Sequence, residues 1–264
     1  MKELSVIGKA AKEVVQEVGK FIRTESTQFD TIKIEHKGLN DLVSYVDKEA
    51  EKQLVDGLRA ILPESGFITE EGTATSTNEA YKWIVDPLDG TTNFMHGLPV
   101  FSISVALMYQ EQLVLGIVYE INRGELFYAY KGAGAWLNDQ RIVVSPTAKL
   151  SNSLLATGFP YHNFEKLETY LKLLQHFMKH THGLRRMGSA AVDLAYVACG
   201  RFEGFFEYNL NPWDVAGGAF IVQEAGGFVI DFQGGGNYLF GRSIIASGAV
   251  KEELFHTIDS IWNH

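Results

Sequence analysis

Trp83-Ile84-Val85-Asp86-Pro87-Leu88-Asp89-Gly90-Thr91-Thr92-Asn93-Phe94 is a short apolar run that delivers two acids into a turn. Trp83 to Val85 has the composition of a buried strand. Pro87 then removes a backbone donor and fixes φ, Gly90 permits a tight backbone, and Thr91-Thr92-Asn93 suit the start of a helix. Two carboxylates at the mouth of a buried strand repel each other unless a positive charge sits between them. A hard divalent cation meets that need, because an Asp-x-x-Asp turn can supply two carboxylates and a peptide carbonyl, here that of Leu88. The amides of Gly90, Thr91 and Thr92 would then face outward at a helix N-terminus, where phosphate binds readily. The same residues also fit an Asx-type turn in which Asp89 only caps a helix, and the stretch by itself leaves both readings open.

Working outward, the rest of the chain is that of a globular protein. Its 264 residues are 46% hydrophobic and 21% charged, enough for a sizeable core in one large domain or two closely packed halves. The net charge of -9 and the lack of a basic patch argue against a nucleic-acid partner. A single cysteine, Cys199, excludes an internal disulfide and suits a reducing compartment. The start, Met1-Lys2-Glu3-Leu4, has no signal-peptide core, and no apolar run is long enough to span a membrane, so a cytoplasmic protein is expected.

Upstream of the opening stretch, apolar residues from Ile7 to Ile22 recur at threes and fours, as in an amphipathic helix. Thr31 to Glu35 alternates like a strand, and Lys37 to Asp41 carries turn residues, which places Lys37 on a loop. Ser44-x-x-Asp47 opens a second helix that Pro63 ends. Phe67-Ile68-Thr69 is a short strand running into Glu70 and Glu71, and Thr73 to Glu79 is a polar surface loop. Downstream, Phe101–Met108, Leu113–Tyr119 and Glu125–Tyr130 are strand-like runs with short connections, hence an antiparallel meander. Lys131 to Ala135 is read as a plain turn, since it lacks the ending of a nucleotide-binding loop.

In the second half, Leu154 to Thr157 is a strand and Phe164 to Met178 a helix. His176, His180 and His182 are expected on its exposed end rather than at a metal. Gly188 to Leu194 reads as a small-residue helix start that packs closely on a neighbour, and Arg201 to Glu207 as a strand. Pro212-Trp213-Asp214 opens a helix that Gly226-Gly227 ends, with proline and acid both at home in its first turn. A strand at Phe228–Ile230, one at Ser243–Ala246 and a last amphipathic helix complete the chain, with no internal repeat.

Acids now stand at the ends of separate elements: Glu70, then Asp86 and Asp89, then Asp214. Together with the stretch Trp83 to Phe94, the second motif Trp213-Asp214-Val215-Ala216-Gly217-Gly218 resembles the inositol monophosphatase family of Mg²⁺-dependent, lithium-sensitive phosphatases. Lys37, Asp47 and Glu70-Glu71 also stand where that family would place them. The resemblance implies an α/β (α+β) fold, a layered αβαβα sandwich over 1-264 with halves near 1-145 and 146-264, and a homodimer. It implies two to three Mg²⁺ ions: one on Glu70, Asp86 and the Leu88 carbonyl, one on Asp86, Asp89 and Asp214, and a third held through water by Glu70. In that scheme a metal-activated water, oriented by Glu70 and Thr91, attacks phosphorus, while Asp47 orients Thr91. The Gly90, Thr91 and Thr92 amides would hold phosphate oxygens. Asp89, Gly188, Ser189, Ala190 and Glu207, with Arg185 nearby, would contact a small phosphorylated polyol. Leu88 would act through its carbonyl alone, so its side chain should exchange freely for another aliphatic one.

The implied reaction is hydrolysis of myo-inositol monophosphate or a similar sugar phosphate. Related families act on fructose 1,6-bisphosphate, 3'-phosphoadenosine 5'-phosphate or histidinol phosphate, and the length of this chain argues against the first two. A bacterial relative in the family associates with the transcription machinery. The region Gly183 to Gly204, with Arg185-Arg186, resembles that branch, which leaves binding to RNA polymerase as an alternative role.

Overall fold

The computed structural model describes residues 2–28, 34–38, 41–160 and 164–263, with side chains described over 4–28, 45–160 and 164–263. Helix α1 (Lys2–Ser26) leads to a hairpin of β1 (Ile34–Gly38) and β2 (Asp41–Ser44), then to α2 (Tyr45–Ile61). The expected strand at Thr31 to Lys33 lies outside the described residues. Lys37 lies on β1 rather than on a loop.

β3 (Gly66–Thr69) and β4 (Tyr81–Asp89) run parallel, so both end at the same edge. A short helix, α3 (Thr91–Met95), follows β4, and then β5 (Ser102–Tyr109), β6 (Gln112–Glu120) and β7 (Glu125–Tyr130) form the expected meander. β8 (Gly134–Leu137) and β9 (Gln140–Ile142) extend it to a sheet in the order β3 to β9. Part of the expected plain turn, Gly134-Ala135, is therefore strand, an assignment made by pairing with β7 rather than by local pattern. Likewise β4 does not stop at Val85: it continues through Pro87 to Asp89 across an irregularity in its register with β5. A bulge of this kind re-aims side chains at the edge of a sheet.

After a single 3-10 turn at Leu150–Asn152 comes a second sheet. It is built from β10 (Leu154–Thr157), β11 (Gly183–Arg185), β12 (Gly204–Tyr208), β13 (Phe228–Ile230) and β14 (Ser243–Ser247), in the order β11-β10-β12-β14-β13. Four helices accompany it: α4 (Leu167–His180), α5 (Ala190–Ala198), α6 (Pro212–Glu224) and α7 (Lys251–Trp262).

Burial sorts these elements into five layers. Val15, Val18 and Ile22 of α1 and Leu54 and Leu58 of α2 pack with Trp83, Val85 and Leu115 of the seven-stranded sheet. The other face of that sheet, through Val118 and Phe127, packs on Leu194 of α5 and Ala219 and Val222 of α6, which in turn meet Phe205 and Ile244 of the five-stranded sheet. Leu173 and Phe177 of α4 and Leu254 and Ile258 of α7 close the outer face of that second sheet. This is the mixed α/β sandwich that the resemblance implied, α on β on α on β on α.

The middle helices are apolar on all sides, as a helix buried between two sheets should be. α6 lies unusually close to its neighbours because of Gly217-Gly218. A Cβ on Gly217 would stand 2.9 Å from Ser104 Oγ, and one on Gly218 would stand 2.5 Å from the Leu194 Cβ. That approach brings Asp214, in the first turn of α6, to the edge where β3 and β4 end.

Candidate active site

The ends of β3 and β4, the start of α3 and the starts of α5 and α6 enclose a cavity of about 280 Å³. Glu70, Asp86, Leu88, Asp89, Gly90, Thr91, Thr92, Gly188, Ser189, Ala190, Glu207 and Asp214 all line it. Residues that are up to 144 positions apart in sequence, Glu70 and Asp214, thus share one wall system. Parallel pairing explains the first step: Thr69 is in register with Val85, so the residues that follow each, Glu70 and Asp86, emerge side by side.

Each aspartate is anchored by protein donors. Asp86 Oδ1 accepts from the Leu88 amide (3.0 Å), which closes the turn around Pro87. Asp89 Oδ2 accepts from Ser189 Oγ and from the Ala191 amide, both at 2.7 Å, and so ties the β4 edge to the start of α5. Asp214 Oδ2 accepts from the Asn211 amide (2.7 Å) at the head of α6. The helix-cap reading of Asp89 is thus true in part, but the helix is α5 of the other half rather than α3. Gly90, at φ 100°, turns the chain into α3. α3 is only five residues long, so what it offers an anion is a few backbone N–H groups rather than a dipole of any reach.

Electrostatically the cavity is crowded with acids, with Arg186 and Arg242 the cations among its lining residues. Asp86 is pushed well above the ordinary carboxylate range, by burial first and then by Glu70, Asp89 and Asp214. Burial raises Asp89 to about 6 against the pull of Ser189, the Ala191 and Ala190 amides and Arg186. Burial and then Asp89 raise Asp214 to about 7. Glu70 stands close enough to Asp86 to raise it further, so the pair resists carrying two negative charges. These hard oxygens crowd negative charge into one place, and they fit Mg²⁺, whose charge would relieve their mutual repulsion. Among the described residues, however, no three acids or histidines are gathered as a ready-made coordination shell. The expected ligands line one cavity, and the three aspartates among them are each held by a protein donor.

Asp47, buried in the first turn of α2, accepts from Thr91 Oγ1 (3.0 Å), and the same hydroxyl lies 2.9 Å from the Leu88 carbonyl. One hydroxyl hydrogen therefore faces two acceptors. Glu51, one helical turn beyond Asp47 and fully buried, accepts from the amides of Glu71 (2.7 Å) and Thr73 (2.8 Å) and from Thr73 Oγ1 (2.7 Å), which fixes the backbone immediately after Glu70.

One expected residue is displaced. Arg185 does not line the cavity: it is exposed, with its guanidinium on the Leu184 carbonyl, whereas Arg186 lines the wall and acts on Asp89 and Glu207. Arg185 belongs to β11, along which successive side chains leave on opposite faces, so a shift of one residue reverses the direction. Sequence reasoning also passed over Gly158, where a Cβ would fall 2.0 Å from the Glu207 carboxylate, so only glycine leaves that acid its place. Arg242 at the rim holds Asn209 and Asn211 through its two terminal nitrogens (2.8 and 3.1 Å). Asp193 also lines the cavity, and its one signal in the sequence is that it is the sole charge in the apolar run Ala190 to Ala198. His176 and His180 stack on each other along α4 and do not line the cavity. Leu88 is fully buried, so its side chain is core as well as backbone donor.

Comparison with known proteins bears on this arrangement. A model of the inositol monophosphatase family matches residues 3–263. An inositol-1-monophosphatase of Rhizobium meliloti is 43% identical over 254 residues, covering 94% of this chain and 96% of the relative. The Nus factor SuhB of Escherichia coli is 41% identical over 254 residues, 95% of each chain. Among solved structures, the extragenic suppressor protein suhB of Bartonella henselae superposes with a TM-score of 0.91 at 38% identity, over 96% of this chain and 98% of that one.

Proposed function

This chain belongs to the inositol monophosphatase family, a family of phosphomonoester hydrolases, and from that premise we propose that it hydrolyses myo-inositol monophosphate or a closely similar small polyol phosphate with Mg²⁺. The observation that carries the reading is one cavity in which buried Asp86 and half-buried Asp89 and Asp214 meet Glu70 beside the Gly90-Thr91-Thr92 backbone. Glu70, Asp86, the Leu88 carbonyl, Asp89 and Asp214 would hold the ions, two to three in number. Bound there, Mg²⁺ would neutralise the phosphate and make a water acidic enough to attack at neutral pH.

The chain's own groups do the rest. The amides of Gly90 and Thr91 hold phosphate oxygens as charge builds on them. Asp47 holds the Thr91 hydroxyl, so that Thr91 Oγ1 can accept from the attacking water while its own hydrogen is committed to Asp47. Glu70 takes the proton that the water gives up. At the alcohol end, Glu207, Ser189 and the Ala190 backbone orient the leaving group, with Arg186, rather than Arg185, as the cation of that wall. Lithium sensitivity, a homodimer and a cytoplasmic setting belong to the same reading. Consistent with it, no helix among the described residues is long and apolar enough to cross a membrane.

Phosphate release across a panel tests it: myo-inositol 1-phosphate, glycerol 2-phosphate, histidinol phosphate and fructose 1,6-bisphosphate, each with Mg²⁺ and with Li⁺ added. Fastest turnover on the inositol ester, suppressed by Li⁺, is expected. Negligible turnover there beside fast turnover of histidinol phosphate would reverse the choice of substrate. The similarity to a Nus factor favours a second reading, a binding role with RNA polymerase, for which the exposed Arg185 is available. Co-purification of the polymerase with an Asp89→Asn protein that keeps its biological role would support it.

A further inference from the structure

Asp193 stands apart from the other acids of the cavity. It is 1% exposed, and among the described residues its Oδ1 is the one buried carboxylate oxygen without a hydrogen-bond partner. A buried polar atom left unpaired is costly and calls for a reason. Helix capping does not supply one. The free amides at the head of α5 are already taken, Val192 N by the Ser189 hydroxyl and Ala191 N by Asp89. Nor does packing, since Asp193 interrupts the wholly buried helix Ala190–Ala198, where an aliphatic residue would be at home.

What Asp193 faces does give a reason. It lines the cavity together with Glu207, itself 6% exposed, and burial, then the charges of Glu207 and Asp89, hold the Asp193 carboxyl well above the ordinary carboxylate range, with Arg186 opposing them. Two buried carboxyl groups, both held well above the ordinary carboxylate range by burial, give this wall an oxygen-rich surface beside Arg186. Its chemical complement is a group of closely spaced hydroxyls, each with one hydrogen to give. This assignment rests on the reading of the cavity as a phosphomonoesterase site. We propose that Asp193 is a specificity-determining residue that, with Glu207, accepts hydrogen bonds from adjacent hydroxyls of the leaving alcohol, so that the site selects phosphate esters of polyols over esters of alcohols without neighbouring hydroxyls.

The test is steady-state kinetics, with Mg²⁺, of the unsubstituted protein and the Asp193→Asn and Asp193→Ala variants on myo-inositol 1-phosphate and on p-nitrophenyl phosphate, whose alcohol carries no second hydroxyl. Loss of a hydrogen bond to a buried carboxyl oxygen, which leaves the ligand hydroxyl unpaired, lowers kcat/KM roughly tenfold or more, and that loss is expected for Asp193→Ala on the inositol ester, mainly through KM. Asp193→Asn, which keeps one acceptor and the side-chain volume, should fall between. Turnover of p-nitrophenyl phosphate should stay within about twofold for both variants, since it forms no bond to Asp193. Equal losses on both esters, or none on either, would overturn the assignment while leaving the phosphatase reading intact. If the unsubstituted protein hydrolysed neither ester, the phosphatase reading itself would fall, and this assignment with it.

Discussion

Replacing Asp214 with asparagine should stabilise the metal-free protein while abolishing its activity. Asp214 is half-buried in the first turn of α6, and desolvation followed by the charge of Asp89 raises its carboxyl from 3.8 to about 7, against Asn211 and Arg242. A folded-state pKa above the unfolded one means that the folded protein still holds a proton which the unfolded chain has released. Stability from this group is therefore full below about pH 4 and is lost as pH rises through about 7. At 1.36 kcal/mol for each pH unit, the interval from 3.8 to about 7 corresponds to about 4 kcal/mol. Part of that is repulsion shared with Asp89, so a single neutral substitution should recover on the order of 2–3 kcal/mol at pH 8. For a chain of this size that is roughly 5–10 °C in Tm. Asparagine preserves the shape and can still accept from the Asn211 amide. Thermal unfolding followed by circular dichroism from pH 5 to 8, in a chelator and then with Mg²⁺, measures it. The unsubstituted protein should lose Tm with rising pH in chelator and regain it with Mg²⁺. The variant should show a flatter profile, a higher Tm at pH 8 in chelator and little response to Mg²⁺. A lower Tm for the variant under those conditions, or a Tm of the unsubstituted protein that climbs with pH, would refute the reasoning.

Glu51→Ala should leave three donors at Glu71 and Thr73 without their acceptor. A loss of about 3 kcal/mol or more in urea unfolding is expected, together with reduced kcat because Glu70 loses its support. Asp47→Ala should lower kcat by about 10²-fold or more with KM little changed, by removing the acceptor that holds the Thr91 hydroxyl and leaving it to turn towards Leu88, as initial rates would show. Gly158→Ala should raise KM for the inositol ester and leave p-nitrophenyl phosphate less affected, because the new Cβ would displace the Glu207 carboxylate that now lies 2.0 Å from it. Leu88→Ala should cost about 2–5 kcal/mol of stability by emptying a fully buried position, yet retain Mg²⁺-dependent turnover per folded molecule, since the carbonyl remains.

The parts of the fold that were legible in the sequence are those whose signal is local. α6 runs from Pro212 to Glu224 as expected, because proline at its start and Gly226-Gly227 beyond its end are residue-level instructions. The meander from β5 to β7 was equally plain from its strand-like apolar runs and the short connections between them. β8, β9 and β11 were not: strands of three or four residues exist by pairing with neighbours, and nothing in Gly183-Leu184-Arg185 announces β10 as a partner. The site divides the same way. Acids at the ends of strong elements, such as Glu70, Asp86, Asp89 and Asp214, could be picked out one by one. Which of Arg185 and Arg186 faces the cavity depends on the register of β11, a long-range property that a single sequence does not carry. Leu88 shows the reverse: its carbonyl was foreseen, but its burial depends on α1 and α2 covering the sheet.

The most direct test of the cation-dependent cavity is phosphate release from myo-inositol 1-phosphate by chelated and dialysed protein as Mg²⁺ is added back, with Asp86→Asn run in parallel. The unsubstituted protein should be silent in chelator and regain turnover saturably with Mg²⁺, and the variant should stay silent throughout while remaining folded by circular dichroism. Turnover that persists undiminished in chelator, or that survives in Asp86→Asn, would contradict the account.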